Sequence, residues 1–174
     1  MNWKYLILLT VVLFSCKKID KLTNFYADFS QEITFFTGDE PGSTIDIWIF
    51  NILQDKDSLF KENHSDIYGT NKIALSEITL SSIDTMDISF NYIESVEVYM
   101  TANEMQEKKI AWLDKIPEDI TKIVSLDFTD DDLKDYMKDK DYALNIRLIS
   151  KGTDNIETTF DFSYTVYINS NFDD

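Results

Sequence analysis

Six clustered aspartates, one histidine beside an aspartate and one cysteine behind an apolar run are the side chains whose types and spacing could do chemistry. The aspartates, Asp130, Asp131, Asp132, Asp135, Asp139 and Asp141, could ligate calcium. An EF-hand loop opening at Asp130 wants glycine at its sixth position and glutamate at its twelfth, where this chain has Asp135 and Asp141. The pattern fails, and a helix start explains the same residues. Thr129 would be the N-cap, three acids would fill the first turn, and Leu133, Tyr136 and Met137 would form the apolar edge of a helix ending near Lys138. His64, with Asp66 as orienter and a serine as nucleophile, would make a hydrolytic triad, but no spacing specifies that geometry. Its polar surroundings, residues 61–66, read instead as a solvent-exposed loop. Carboxylate pairs for glycoside hydrolysis can be drawn in many ways from 32 acids, so abundance removes the signal. No catalytic residue, metal ligand or cofactor is assigned, and the chain reads as a non-enzyme.

Cys16 is the only cysteine. Lys4 precedes an unbroken apolar stretch from Tyr5 to Phe14, and Ser15, Cys16, Lys17 and Lys18 follow. A membrane-spanning helix needs about 20 apolar residues, so this shorter stretch reads as a secretory signal peptide. Leu13-Phe14-Ser15-Cys16 resembles the lipobox of bacterial lipoproteins, with a branched apolar residue three before the cysteine and a small residue just before it. The resemblance implies that the Cys16 thiol is alkylated by a diacylglyceryl donor, that a peptidase cuts after Ser15, and that the freed amine takes a further acyl chain. At about 0.8 kcal/mol per buried CH₂, two or three such chains hold a protein on a membrane. The Leu/Val/Phe-rich leader ending in Ser15-Cys16-Lys17-Lys18 is similar to the small outer-membrane lipoproteins of Bacteroidota, and so is the Lys-, Asp-, Asn- and Ile-rich body. In that group an acidic cluster after the lipidated cysteine tends to mark export to the cell surface. Here residues 17–21 are mainly basic, which implies the periplasmic face of the outer membrane.

Composition bounds the rest. The 174 residues are 44% hydrophobic and 14% aromatic against 28% charged, enough apolar material for one packed core. With 16 basic and 32 acidic side chains the net charge is −16, which repels phosphate backbones and excludes nucleic acid as a partner. Four glycines, two prolines, one histidine and one cysteine leave no glycine-rich phosphate loop, no Cys/His zinc cluster and no disulfide. The chain divides into a signal peptide (1–15), a lipidated cysteine with its tether (16–24) and a single domain (25–174).

The elements of that domain follow from a period of two. Phe25, Ala27, Phe29, Ile33 and Phe35 share one face, with Gln31 the exception, so a half-buried strand or two strands joined at Gln31 is predicted. Ile156, Thr158, Phe160, Phe162, Tyr164, Val166 and Ile168 alternate with polar neighbours in the same way. Residues 44–53, 72–80, 95–101, 109–113, 122–128 and 142–150 are β-branched or aromatic runs of strand length. About eight strands and one short helix define an all-β antiparallel sandwich, either immunoglobulin-like or a jelly roll. A further helical turn is placed around residues 91–94. Asp57-Ser58-Leu59 and Asp84-Thr85-Met86 resemble O-glycan acceptors of Bacteroidota envelope proteins and are permitted sites only.

One run breaks the alternation. Ile45, Ile47 and Ile49 fill one face of residues 44–53, while Trp48, Phe50 and Ile52 make the other face apolar as well. Either this is a central strand covered on both faces, or Trp48 and Phe50 form an exposed patch that docks a partner. The functional expectation is a lipid-anchored binding or assembly subunit beside a larger outer-membrane complex. A module for a glycan or apolar ligand comes second, and a hydrolase third.

Overall fold

The computed structural model describes residues 24–38, 40–50, 56–83, 89–118, 122–152 and 155–170. Cys16, the leader and the tether through residue 23 lie outside the described residues, as do Asp84, Thr85 and Met86.

Alternation sets the two longest strands. β1 (Asn24–Phe36) turns Ala27, Ile33 and Phe35 inward, and β9 (Glu157–Ser170) turns Phe160, Phe162, Val166 and Ile168 inward. They pair antiparallel without a register shift from Asn24 opposite Asn169 to Phe36 opposite Glu157, so Gln31 interrupts the apolar phase but not the strand. β3 (Thr70–Ser82) lies on the other side of β9, and β6 (Ile123–Ser125) completes a back sheet of order β1-β9-β3-β6. The front sheet runs β2 (Thr44–Phe50), β8 (Ala143–Ser150), β4 (Ile93–Thr101), β5 (Lys108–Leu113) and β7 (Asp127–Phe128).

The pairing is nested. β1 pairs with β9, β2 with β8, β3 with β6 and β4 with β5, all antiparallel, as if one long hairpin were rolled into two sheets. This is the jelly-roll arrangement, and it decides between the two sandwiches left open by the sequence. Immunoglobulin-like order would keep successive strands as hairpins within a sheet. Here β4 and β5 form such a hairpin, while the chain crosses between sheets at most other connections.

The sequence misleads at three places. Residues 122–128 are two strands: β6 belongs to the back sheet and β7 to the front, and the chain changes sheet at Leu126, which is buried and donates its N–H to the Ile78 carbonyl (3.0 Å). The expected helix is shorter than its sequence signature: α2 covers only Lys134–Lys138, and its N-cap is Leu133, with no side-chain capping bond. Thr129 cannot cap it, because its N–H donates to the Ile110 carbonyl (2.9 Å) and prolongs the β7 pairing, while its Oγ1 accepts the Asp131 N–H (3.2 Å). Asp132 then mimics a peptide: its Oδ1 accepts the N–H groups of Ile73 and Lys134 (both 3.0 Å), and the Leu133 N–H donates to the Ile73 carbonyl (2.7 Å). Asp132 thus ties the first residue of α2 to β3, and Asp131 turns instead to Lys108 of β5. Finally, a helix not foreseen, α1 (Lys56–Glu62), buries Phe60 with its ring edge-on to Phe25 (5.8 Å, 81°), whereas the helical turn expected around residues 91–94 is present as a 3-10 turn two residues earlier, at Ser89–Tyr92.

On the inner face of the back sheet Phe35 of β1 stacks on Phe160 of β9 (5.6 Å, 9°), and Phe90 of the 3-10 turn tilts against the same ring (4.8 Å). The entry to β2 is locked by backbone. Gly42 donates its N–H to the Ser150 carbonyl (2.7 Å), and Gly152, at φ +76°, has no room for a Cβ, which would sit 2.4 Å from Pro41 Cδ.

Candidate functional site

Because Ile45, Ile47 and Ile49 face the core side, the pleat sends Asp46, Trp48 and Phe50 to the outside of the front sheet. Register then fixes their neighbours. One row crosses the sheet as Asp46, Arg147, Glu97 and Trp112, and the next as Trp48, Asn145, Tyr99 and Lys109. Aromatic rings and charged groups therefore alternate on one surface.

Two small networks hold that surface. Arg147 Nε (2.9 Å) and Asn145 Nδ2 (3.1 Å) both donate to Asp46 Oδ1, and the guanidinium lies 4.7 Å from the Tyr99 ring centre. The Tyr99 hydroxyl donates to Glu97 Oε2 (2.7 Å), and Lys109 Nζ donates to Glu97 Oε1 (3.1 Å) while lying 5.8 Å from the Trp112 ring centre. The Tyr99 hydroxyl bond and Lys109 hold the Glu97 carboxyl below its usual value, against a smaller opposing push from burial. Burial and the neighbouring Glu97 raise the Tyr99 phenol, and the Asp46 carboxylate raises the Arg147 guanidinium. Asn145 is buried, and its Oδ1 has no hydrogen-bond partner.

Trp48 and Phe50 differ from the other rings on this face. Tyr99 and Trp112 are faced by the chain's own cations, whereas Trp48 is 46% and Phe50 64% exposed, their rings near-parallel at 12° and 6.1 Å apart. The reading of residues 44–50 as a central strand is wrong. Among the described residues β2 pairs only with β8, so it is an edge strand and its second apolar face has no cover of its own. An open groove of about 280 Å³ lies beside it, between residues 31–34 of β1 and 47–50 of β2.

The other candidates are dispersed. His64 is exposed at φ +52° in the turn that ends α1, its N–H donating to the Lys61 carbonyl (3.1 Å), while the Asp66 carboxylate accepts the Tyr68 N–H (2.9 Å). Asp131 pairs with Lys108 (2.9 Å). Asp139 accepts the N–H groups of Asn103 and Asp141 (both 2.9 Å), joining the loop after β4 to the segment before β8. Among the described residues no group of three or more His, Cys, Asp or Glu could hold a metal ion, and no helix is long and apolar enough to cross a membrane. Ser58 lies on α1 and donates to Glu62 Oε1 (3.3 Å). The residues that sequence reasoning missed are Asp46, Glu97, Tyr99, Lys109, Trp112, Asn145 and Arg147. One signal was available: Arg147 is the sole arginine among 16 basic residues, and it falls on the outward phase of its strand.

No protein-family model matches the chain, and no curated protein matches it. Among solved structures it is similar to the decameric BFDV capsid protein, at 8% identity and TM-score 0.40 over 84% of this chain and 99% of that one. It is similar also to turnip yellow mosaic virus, at 12% identity and TM-score 0.33 over 87% and 96%. A carbohydrate-binding module of the β-sandwich superfamily matches at 8% identity and TM-score 0.29 over 88% of this chain and 58% of that one. Likeness at this level carries no argument, and the jelly-roll assignment rests on the nested pairing of the strands.

Proposed function

We propose that the protein is an envelope lipoprotein, held by acyl chains on Cys16 at the periplasmic face of the outer membrane, that works by binding rather than catalysis. Its docking surface is the outer face of the front sheet at β2, and its partner is a protein of a larger outer-membrane complex. One observation carries the reading: Trp48 and Phe50 stand exposed side by side on an edge strand, while the neighbouring aromatics are faced by the chain's own cations. Exposed aromatics on a polar rim are the composition of an interface core.

The test is affinity purification from native membranes with the Trp48→Ser/Phe50→Ser double variant. Loss of partners from a protein that still folds supports the reading, and retention of every partner overturns it. Cys16→Ser tests the anchor separately: it should leave uncleaved or soluble protein, and mature protein retained in the membrane would remove the lipoprotein reading.

A glycan is the second reading, favoured by the partly exposed guanidinium of Arg147, which has N–H groups beyond the one given to Asp46, on the face that carries the exposed Trp48 ring. Quenching of tryptophan fluorescence by a soluble glycan, absent in the double variant, would favour it.

A further inference from the structure

We infer that β2 is a strand-acceptor edge: an extended segment of the partner protein, apolar at alternate positions and basic between them, pairs with β2 and adds a strand to the front sheet. The inference rests on the docking reading above and supplies its mode.

The backbone argument comes first. β6 and β7, which end the two sheets on one side, are three and two residues long, too short to template much pairing. β1 and β2 are the long edges. Neither has a lysine, proline or register shift, but β1 carries Asp28 and Glu32 among its outward side chains, between Tyr26 and Phe36, whereas the one charge of β2, Asp46, is bonded to Arg147. A flat apolar edge of this kind invites another strand. Its polarity can be read from the ladder. The Ser150 N–H donates to the Ser43 carbonyl (2.9 Å), so Ser43 and Ser150 are a hydrogen-bonded pair. Alternation from that pair directs the backbone groups of Ile45, Ile47 and Ile49 to β8 and those of Asp46, Trp48 and Phe50 to the open side. Among the described residues no backbone bond joins the latter to another segment.

Charge selects the occupant. The groove beside β2 offers Ile33, Ile47 and Ile49 to alternate apolar side chains, carries Glu32 in its wall, and has no Lys or Arg in its lining. The whole chain bears −16. A second copy would bring the same charges against themselves, while a segment with interleaved basic residues is attracted. Main-chain pairing would then give affinity, and alternate pockets specificity.

Amide hydrogen exchange of the mature chain tests this with three octapeptides: alternating Val-Lys, alternating Val-Glu, and Val-Lys with every second amide N-methylated. The Val-Lys peptide should slow exchange at Asp46, Trp48 and Phe50 by at least about tenfold, and the other two should not. Asp46→Pro should abolish that binding while Asp46→Ala keeps it, since both lose the carboxylate and only proline lacks the N–H. Binding without protection of those amides, equal behaviour of the Pro and Ala variants, or no binding of the Val-Lys peptide would overturn strand addition. A stable dimer of the mature chain that Asp46→Pro dissolves would give the edge to a second copy and overturn it as well. If Asp46→Pro keeps the native partners that Trp48→Ser/Phe50→Ser loses, strand addition fails and the docking reading stands; if both variants keep them, both fail.

Discussion

The two outer faces of the sandwich are built on the same pleat and carry opposite chemistry. On the back sheet, hydroxyls and carboxylates bond one another across strands, Ser30 to Asp161, Thr165 to Asp28 (2.7 Å) and Thr34 to Thr159 (3.0 Å), and along β9, where Ser163 donates to Asp161. The middle of that face is closed upon itself, and its exposed rings are separated at opposite ends of β1: Tyr26, which meets Tyr167 (5.4 Å), and Phe36. On the front sheet the polar groups also bond one another, but they enclose rings, and at β2 two of those rings are left open. A face that satisfies its own polar groups is a solvated surface. A face that satisfies its polar groups and leaves aromatics bare has surface to lose to a partner.

Both faces stand on one core, and the largest effect should show it. Phe160→Ala removes a fully buried ring stacked against Phe35 and tilted against Phe90, at a cost of about 3–5 kcal/mol. Chemical denaturation should give one transition in which both sheets are lost together; two transitions would separate the faces. Next comes Trp48→Ser/Phe50→Ser. Rings this exposed should cost about 1–3 kcal/mol together, well under the cost of two buried rings. A double variant that unfolds would mean the pair is core, and the contrast between the faces would break.

The contrast was half legible in the sequence. Alternation in residues 156–169, and in residues 25–35 apart from Gln31, identified the inward set, since an antiparallel strand wet on one side must alternate. What local pattern cannot carry is the position of a strand in its sheet. Trp48 and Phe50 would look the same on a covered central strand; in the fold β2 pairs, among the described residues, with β8 alone, and both rings are exposed. The polar residues of the site are dispersed among β2, β4, β5 and β8, so register, a property of the closed fold, brings them together. The acidic run misled for a related reason: Thr129 and Asp132 have the types of helix caps, but pairing to Ile110 keeps Thr129 beside β7, and Asp132 is shared between Lys134 at the start of α2 and the distant Ile73.

That competition gives the third test. Asp132→Ala removes the acceptor of two backbone N–H groups and should cost about 1–2 kcal/mol. Faster amide exchange at Ile73, on the back sheet, should accompany it. Thr129→Ala should cost under about 0.5 kcal/mol, because its hydroxyl serves one exposed local turn. Reversal of that order would restore Thr129 as the helix cap.

The smallest effect concerns acid, and it probes the front face alone. Glu97 accepts the Tyr99 hydroxyl and the Lys109 ammonium, and these contacts hold its carboxyl below the ordinary value of 4.5 in the folded chain. A carboxyl with a depressed folded-state pKa binds its proton more readily when unfolded. Its contribution to stability is therefore present above pH 4.5 and lost as the pH falls through the depressed value. Glu97→Gln has no such proton to take up. The variant should be slightly less stable than the wild type at pH 7, and the gap should close as the pH drops below 4.5. Melting temperatures across that range measure it. A gap that persists unchanged at pH 3 would mean that Glu97 acts by shape rather than charge. The cations facing Tyr99 and Trp112 would then need another explanation, and with it the reason why Trp48 and Phe50 beside them are left open.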